Sequence, residues 1–456
     1  METEKRVVTK IERGSYGLYF MGQNVFYFII FYYMNTYFMD VGIAAMAVAG
    51  ISLAVKIWDA VNDPIFGGIV DRVKFKKGTF VPWLRISVVG IPFATILMFA
   101  IPNDISHGAK IAWACIAYVL WDTAYTTTDV PIYGLVTTIT DNQQERTSLN
   151  ATGRVFATLA IGLVTIVIPT FRNMIGGWTA TVVVLSIFAT ITMVPICFTA
   201  KERVKPVQNE KEVGIGDMLR YVAGNKYLLI YYMAYFIRGA LNVANAWGLY
   251  IARYCLENEA MQSLTSVLAF APAVLSGVFA PAICKRFDKF KVFYWASVAM
   301  IVANLVRWFV GYENVTAYLI TSVITCIPGC LTGVLLYMFT PDCAEYGHYK
   351  SGISCPGITF STQTFFVKLE AAVMSAFSAF VLGVLGFISG EGAAQAAGFS
   401  DKLWNASCFV PTVGIIISLI VLHFYKLNDH DVQLMAKYNA GEISREEAES
   451  QMRHKY

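Results

Sequence analysis

The chain has 456 residues, of which 56% are hydrophobic and only 14% charged, with a formal net charge of +4. Soluble proteins carry about 25% charged residues, so the deficit excludes a water-soluble globular domain and points to an all-α polytopic membrane protein. Nine cysteines are scattered, several within apolar runs (Cys115, Cys197, Cys326), and read as small core residues rather than a disulfide framework.

A spanning helix needs about 20 mostly apolar residues, because the hydrocarbon core is about 30 Å thick and each residue rises about 1.5 Å. Twelve segments satisfy this in chain order: 15–39, 43–70, 83–101, 109–138, 150–171, 177–199, 226–252, 262–283, 292–311, 316–340, 357–388 and 405–425. The alternating polarity of transmembrane strands is absent. The first run is too long for a signal-peptide core and reads as an uncleaved first helix. Lys and Arg concentrate in every second loop: Arg72, Lys74, Lys76 and Lys77 after the second span, and Lys285, Arg286, Lys289 and Lys291 after the eighth. Lys/Arg excess marks the cytoplasmic side, so both termini are expected in the cytoplasm of a cell that carries the chain in its inner (plasma) membrane. The polar connection 201–225 falls between spans six and seven. It divides the chain into a six-helix bundle over 1–200, a middle loop, a second six-helix bundle over 226–426 and a cytoplasmic tail over 427–456 that has room for a short helix.

The polar residues inside these spans need a reason. Ionisable groups at bilayer depth cost roughly 2.5–3.5 kcal/mol each on insertion scales and normally face a partner or a water-filled cavity. The first span carries Gln23 and Asn24, with Phe26, Tyr27 and Tyr32 nearby. The second carries Lys56, Asp59, Asn62 and Asp63. Asp59 and Asp63 are one helical turn apart on one face, with Asn62 beside them. The fourth carries Thr126, Asp129 and Tyr133, and a hydroxyl and a carboxylate three residues apart share a face. The fifth opens with Asn150 and Arg154, and the eleventh carries Gln363, Thr364, Lys368 and Glu370.

Asp59, Asn62, Asp63, Thr126 and Asp129 together offer oxygen ligands suited to a hard cation such as sodium. Carboxylates crowded together equally suit a proton, and the residues alone leave the two ions open. A purely structural role is the competing account. Asp59 pairs with Lys56 in that reading, Arg154 reaches to the interface, Lys368 balances Glu370 or a carboxylate of the second span, and Gln23 and Asn24 bond neighbouring helices. The five histidines, His107, His348, His423, His430 and His454, sit in loops, in the tail or near a span end. The short loops hold no acid–base or metal cluster, so an embedded glycosyltransferase is not expected.

The run Trp58-Asp-Ala-Val-Asn-Asp-Pro-Ile-Phe-Gly-Gly-Ile-Val-Asp-Arg72, followed by Gly78-Thr-Phe-Val-Pro-Trp83, resembles the second-span signature of the glycoside–pentoside–hexuronide:cation symporters. Asp129-Val-Pro-Ile-Tyr-Gly-Leu with Asp141 and Glu145-Arg146 is similar to that family's fourth span and following loop. Asp342-Cys-Ala-Glu-Tyr-Gly347 with Gln363-Thr-Phe-Phe-Val-Lys368 resembles its tenth and eleventh spans. The resemblance covers nearly the whole chain. It implies a major facilitator superfamily fold of 12 transmembrane helices in two six-helix bundles around a central cavity. It also implies uptake of a sugar with Na+ or H+ by alternating access.

By matching position, the resemblance gives Asp59, Asn62, Asp63 and Thr126 as cation residues, with Na+ at Asp59 and Asp63 if sodium is used. Asp129 would link cation and sugar. Asn24, Tyr133, Arg154, Gln363 and Lys368 would face the sugar. Tyr19-Phe20 stands where many relatives have Gly-Asp, and Tyr133 replaces a tryptophan beside the sugar site. Galactoside specificity is therefore not carried over. Neutral Asn24 beside Arg154 and Lys368 leaves that end cationic, which would suit an anionic sugar. The expected partners are a small sugar and the lipid bilayer, with no cofactor, no nucleic acid and a monomer as the working unit. An uncoupled or lysolipid-type carrier on the same fold is the alternative.

Overall fold

In a computed structural model of the chain, residues 7–73, 75, 78–140, 143–204, 222–284, 286–336, 338–352, 356–390 and 392–456 are described, and among them the regular structure is helical. Thr9 starts the first helix, α1 (Lys10–Asp40), through a reciprocal cap. Its hydroxyl accepts the Glu12 N–H at 3.1 Å, and the Glu12 carboxylate accepts the Thr9 N–H at 3.0 Å. Glu12 is itself buried and pairs with Arg203 at 2.9 Å.

The helices α2 (Ala45–Arg72), α3 (Val81–Met98), α4 (His107–Ile139), α5 (Gln143–Ile175), α6 (Trp178–Met193) and the short α7 (Ile196–Thr199) follow. The start of α3 is capped from afar: the Glu202 carboxylate accepts the N–H groups of Thr79, Phe80 and Val81 at 2.7–2.9 Å, an anion at the positive end of a helix. Gly22 lets α1 and α6 approach closely, because a Cβ there would stand 2.4 Å from the Ala189 carbonyl oxygen.

The chain divides into two compact units, 1–208 with 379–397, and 209–378 with 398–456. In the first, α1 packs mainly on α5 and α6, and α4 on α2 and α3. The second is built from α8 (Lys226–Ala240), α9 (Gly248–Tyr254), α10 (Ala260–Cys284), α11 (Lys289–Val310), α12 (Val315–Leu336), α13 (Phe339–Ser351), most of α14 (Pro356–Val384) and α15 (Phe399–Leu422). Its core includes an aromatic cluster of Tyr227, Tyr231, Tyr232, Phe339, Tyr346 and Tyr425.

Among the described residues, eight helical segments have both the length and the apolarity to cross a bilayer. Three more of the expected spans correspond to α1, α2 and α4, with 31, 28 and 33 residues. At about 1.5 Å per residue, each exceeds the hydrocarbon thickness. They are the helices that carry the expected cation residues together with Asn24 and Tyr133. The seventh span departs from expectation. A continuous helix over 226–252 is anticipated, but α8 stops at Ala240, a 3-10 turn occupies Val243–Asn245 and α9 resumes at Gly248. The Asn-Val-Ala-Asn stretch before Gly248 explains this, since asparagine and glycine both favour non-helical backbone. The tenth span runs on through α13 to Ser351, beyond the expected end at 340.

The tail forms α16 (Asp429–Asn439) and α17 (Arg445–Gln451), pinned by fully buried Asp431. Its carboxylate accepts the N–H groups of Arg453 and His454 at 2.9 and 3.2 Å, and the Tyr456 hydroxyl and Asn428 amide at 2.8 Å each. His430 Nδ1 lies 3.1 Å away. Burial by itself raises this carboxyl's pKa, but the bonds from Arg453, His430, Tyr456 and Asn428 outweigh it and hold it below the usual carboxylate range. A depressed folded-state pKa means the stabilisation is present above the unfolded value of about 3.9 and is lost as pH falls through the lower folded value. A fluorophore at position 450 should therefore keep its anisotropy from pH 9 down to pH 5 and lose it in stronger acid. Asp431→Asn should show the loosened signal already at pH 7. Loosening at alkaline pH instead would contradict this account.

Candidate functional site

The polar residues of α1, α2 and α4 meet within the first unit. The buried Asn62 amide donates to the Thr126 hydroxyl at 2.8 Å, joining α2 to α4, and Thr126 in turn donates to the Asp122 carbonyl at 3.1 Å. Asp59 lies one turn before Asn62 and Asp129 one turn after Thr126, each on the face its partner residue occupies. Gln23 of α1 donates to Asp129 Oδ1 and to the Tyr125 hydroxyl, both at 3.2 Å. Gln23 is 1% exposed, and its Oε1 has no hydrogen-bond partner. On the other side of the Asn62–Thr126 bond, the Lys56 ammonium sits 3.3 Å from Asp59 Oδ2, with Asp122 and Tyr118 of α4 within electrostatic reach. Tyr19 of α1 bridges the hydroxyls of Thr128 and Ser87.

The other expected residues are placed less centrally. Asn24 turns its amide to the Phe20 carbonyl of its own helix at 2.8 Å. Tyr133 is 56% exposed, and its neighbour on α1 is the Phe20 ring. Arg154 is also exposed, on α5 of the same unit. Gln363 and Lys368 lie on α14 in the second unit, and the Gln363 Oε1 is buried without a hydrogen-bond partner. The side chains of Asp63 and Thr364 lie outside the described residues. So do the backbones of Asp141, Lys74 and Lys76. No group of three His, Cys, Asp or Glu side chains able to hold a metal is found among the described residues. An alkali cation held partly by amide and hydroxyl oxygens needs no such group.

One participant, Asp122, goes unnoticed in the sequence reading, and Gln23 plays a larger part there than its neighbour Asn24. Asp122 lies four residues before Thr126, so its charge inside an apolar run was a readable signal. The sequence pairs Gln23 with Asn24 as residues able to bond neighbouring helices. It is Gln23, not Asn24, that reaches Asp129.

Residues 15–429 match the family described as MFS/sugar transport proteins. The chain belongs to this family of membrane transporters. It is 26% identical over 447 residues to the isoprimeverose transporter of Lactiplantibacillus pentosus, spanning 95% of this chain and 92% of that protein. It is 25% identical over 408 residues to the glucuronide carrier protein homolog of Escherichia coli K12, spanning 85% of this chain and 86% of the other. The crystal structure of the nucleoside transporter NupG superposes with a TM-score of 0.64 at 13% identity, over 92% of this chain and all of that one, a likeness of fold. The transporter is thus a multi-pass membrane protein of the major facilitator superfamily and of symporter type, and not an enzyme.

Proposed function

We propose that the transporter carries a glycoside, pentoside or hexuronide into the cell together with Na+ or H+, from an inner (plasma) membrane in which both termini face the cytoplasm and a single chain is the working unit. The carrying observation is the Asn62–Thr126 hydrogen bond at 2.8 Å, which holds the carboxylate-bearing faces of α2 and α4 together. A cation taken up among Asp59, Asp63 and Asp129, with Asn62 and Thr126 as neutral ligands, offsets the repulsion of the acidic groups and fixes α2 against α4. Gln23 ties Asp129 to α1. Cation occupancy therefore reaches the helix on which Asn24 stands. Sugar hydroxyls then bond Asp129, Arg154 and Asn24, with Tyr133 beside the ring. Each ligand favours the other's bound state, and this coupling is reciprocal. Symport of a glycoside is in keeping with the isoprimeverose transporter among the relatives and that of a hexuronide with the glucuronide carrier homolog.

A thermal-shift screen of purified protein tests the reading. Glycosides, pentosides, hexuronides and lysolipids are each added with and without Na+ at two pH values. One sugar class should raise Tm, because a ligand at 100 times its Kd adds about 2.7 kcal/mol, and Na+ or the lower pH should enlarge the shift. A response to lysolipids alone would overturn it.

A further inference from the structure

The stretch Cys326-Ile-Pro-Gly-Cys330 of α12 sets two thiols four residues apart, so the helix stacks them on one face. Their sulfurs approach to 3.4 Å, and both side chains are half-buried. The Cys326 sulfur also faces the Ala269 carbonyl oxygen of α10 at 3.9 Å, a weak contact that leaves the thiol available. Among the described residues no other pair of thiols is in contact.

A direct disulfide is not what this spacing favours. Cβ atoms four residues apart on a helix stand about 5–6 Å from each other, whereas a disulfide holds its Cβ atoms about 3.5–4.5 Å apart. Closing one would force the turn to tighten. A single atom set between the sulfurs removes the conflict. With bonds of about 2.3 Å, the length of sulfur on zinc, a linear centre holds its two sulfurs about 4.6 Å apart and a tetrahedral one about 3.8 Å. A pyramidal centre with narrower angles brings them closer still, towards the 3.4 Å found here. Trivalent arsenic is such a centre, and a soft acceptor of this kind selects thiolates over oxygen and nitrogen donors.

The backbone between the cysteines can adapt to the bridge. Pro328 has no N–H to give the Ile324 carbonyl, so the turn is loosened there. Beyond it, the Thr332 hydroxyl bonds the Pro328 and Gly329 carbonyls at 3.0 and 2.9 Å. Ile324 and Ile327 beside the pair are 47% and 51% exposed, so an apolar reagent dissolved in the bilayer reaches this stretch.

We propose that Cys326 and Cys330 form a dithiol site for one trivalent arsenic centre. With an organic arsenoxide the step is a condensation. Two S–As bonds form, the arsenic–oxygen bond breaks, and the two thiol protons leave with the oxygen as water. No electrons change hands, so no oxidant is needed. The pair lies in the second unit, away from the cation residues of α2 and α4. Neither sulfur lines the cavity of about 250 Å³ in that unit, whose walls include Arg238, Glu370, Gly329 and Thr332. The proposal goes beyond the symporter reading and does not depend on it.

The test treats purified full-length protein with phenylarsine oxide and washes it with excess 2-mercaptoethanol, which strips arsenic held by one thiol. Intact mass spectrometry should then show one arsenical retained per chain, and the dithiol 2,3-dimercaptopropanol should remove it. After denaturation and alkylation with N-ethylmaleimide, peptide mapping should find Cys326 and Cys330 protected and the other cysteines labelled. Cys326→Ser and Cys330→Ser should each lower retention at least tenfold. If a serine variant does not fold, as judged by its elution profile, the protection map of the wild type carries the test. Undiminished retention in either folded variant, protection at a different set of cysteines, or a wild type that keeps no arsenical through the wash would each overturn the proposal.

Discussion

Asp59→Asn should abolish accumulation of sugar against its gradient while leaving sugar exchange across the membrane measurable. The substitution keeps the size of the side chain and removes its charge. Asp59 is a described carboxylate one turn from the Asn62–Thr126 bond, and it holds the Lys56 ammonium at 3.3 Å. That contact gives the structural account of these residues its due: an internal cation does pair with Asp59. It also gives the transport account a mechanism, because an entering cation competes with a tethered one for the same oxygens. Couplings between sites are typically about 1–3 kcal/mol, or roughly 5- to 150-fold in affinity. Wild-type sugar affinity should therefore rise by a factor in that range on saturation with the coupling cation, and the affinity of Asp59→Asn should not respond at all. Uptake into proteoliposomes with an imposed Na+ or H+ gradient reads the first effect, and sugar titration with and without cation reads the second. Accumulation that survives the substitution would remove Asp59 from the cation site.

What the sequence disclosed was what is local. The charge-free run over 15–39 marks α1, and the three-residue spacings of Asp59 with Asn62 and of Thr126 with Asp129 place each pair on one helix face. Even the Lys56–Asp59 contact was legible, because its partners share one helix. The Gln23–Asp129 bond was not, since its residues are 106 positions apart and the choice of Gln23 over Asn24 depends on how α1 is rotated against α4. Tyr235 and Glu370 are 135 positions apart, and only the packing of α8 beside α14 brings that carboxylate to the cavity that Arg238 lines. The break after Ala240 is an intermediate case. Its asparagines and glycine are helix-weakening signals, but they lie inside a run apolar enough to read as continuous.

Arg172→Met should destabilise the first unit more than substitutions at its exposed lipid-facing positions. Asp40 is the last residue of α1, where a carboxylate faces the negative end of the helix and needs a cation nearby. Arg172, in the last turn of α5, supplies it at 3.3 Å, and both side chains are almost wholly buried, at 3% and 1% exposure. The Trp178 indole at the start of α6 donates to the same Asp40 oxygen at 2.8 Å and lies 4.8 Å from the guanidinium, so three helices share the contact. Removing one partner of such a pair strands the other and costs about 3–5 kcal/mol, whereas replacing both with apolar groups of similar size is often nearly neutral. At about 2–4 °C per kcal/mol for a unit of this size, Tm should fall by about 10 °C in Arg172→Met. Asp40→Leu with Arg172→Met should recover part of that loss, because the stranded carboxylate is gone. A double variant whose losses simply add would show that the two side chains are not coupled. An unchanged Tm in the single variant would show that this buried pair does not hold α1, α5 and α6 together.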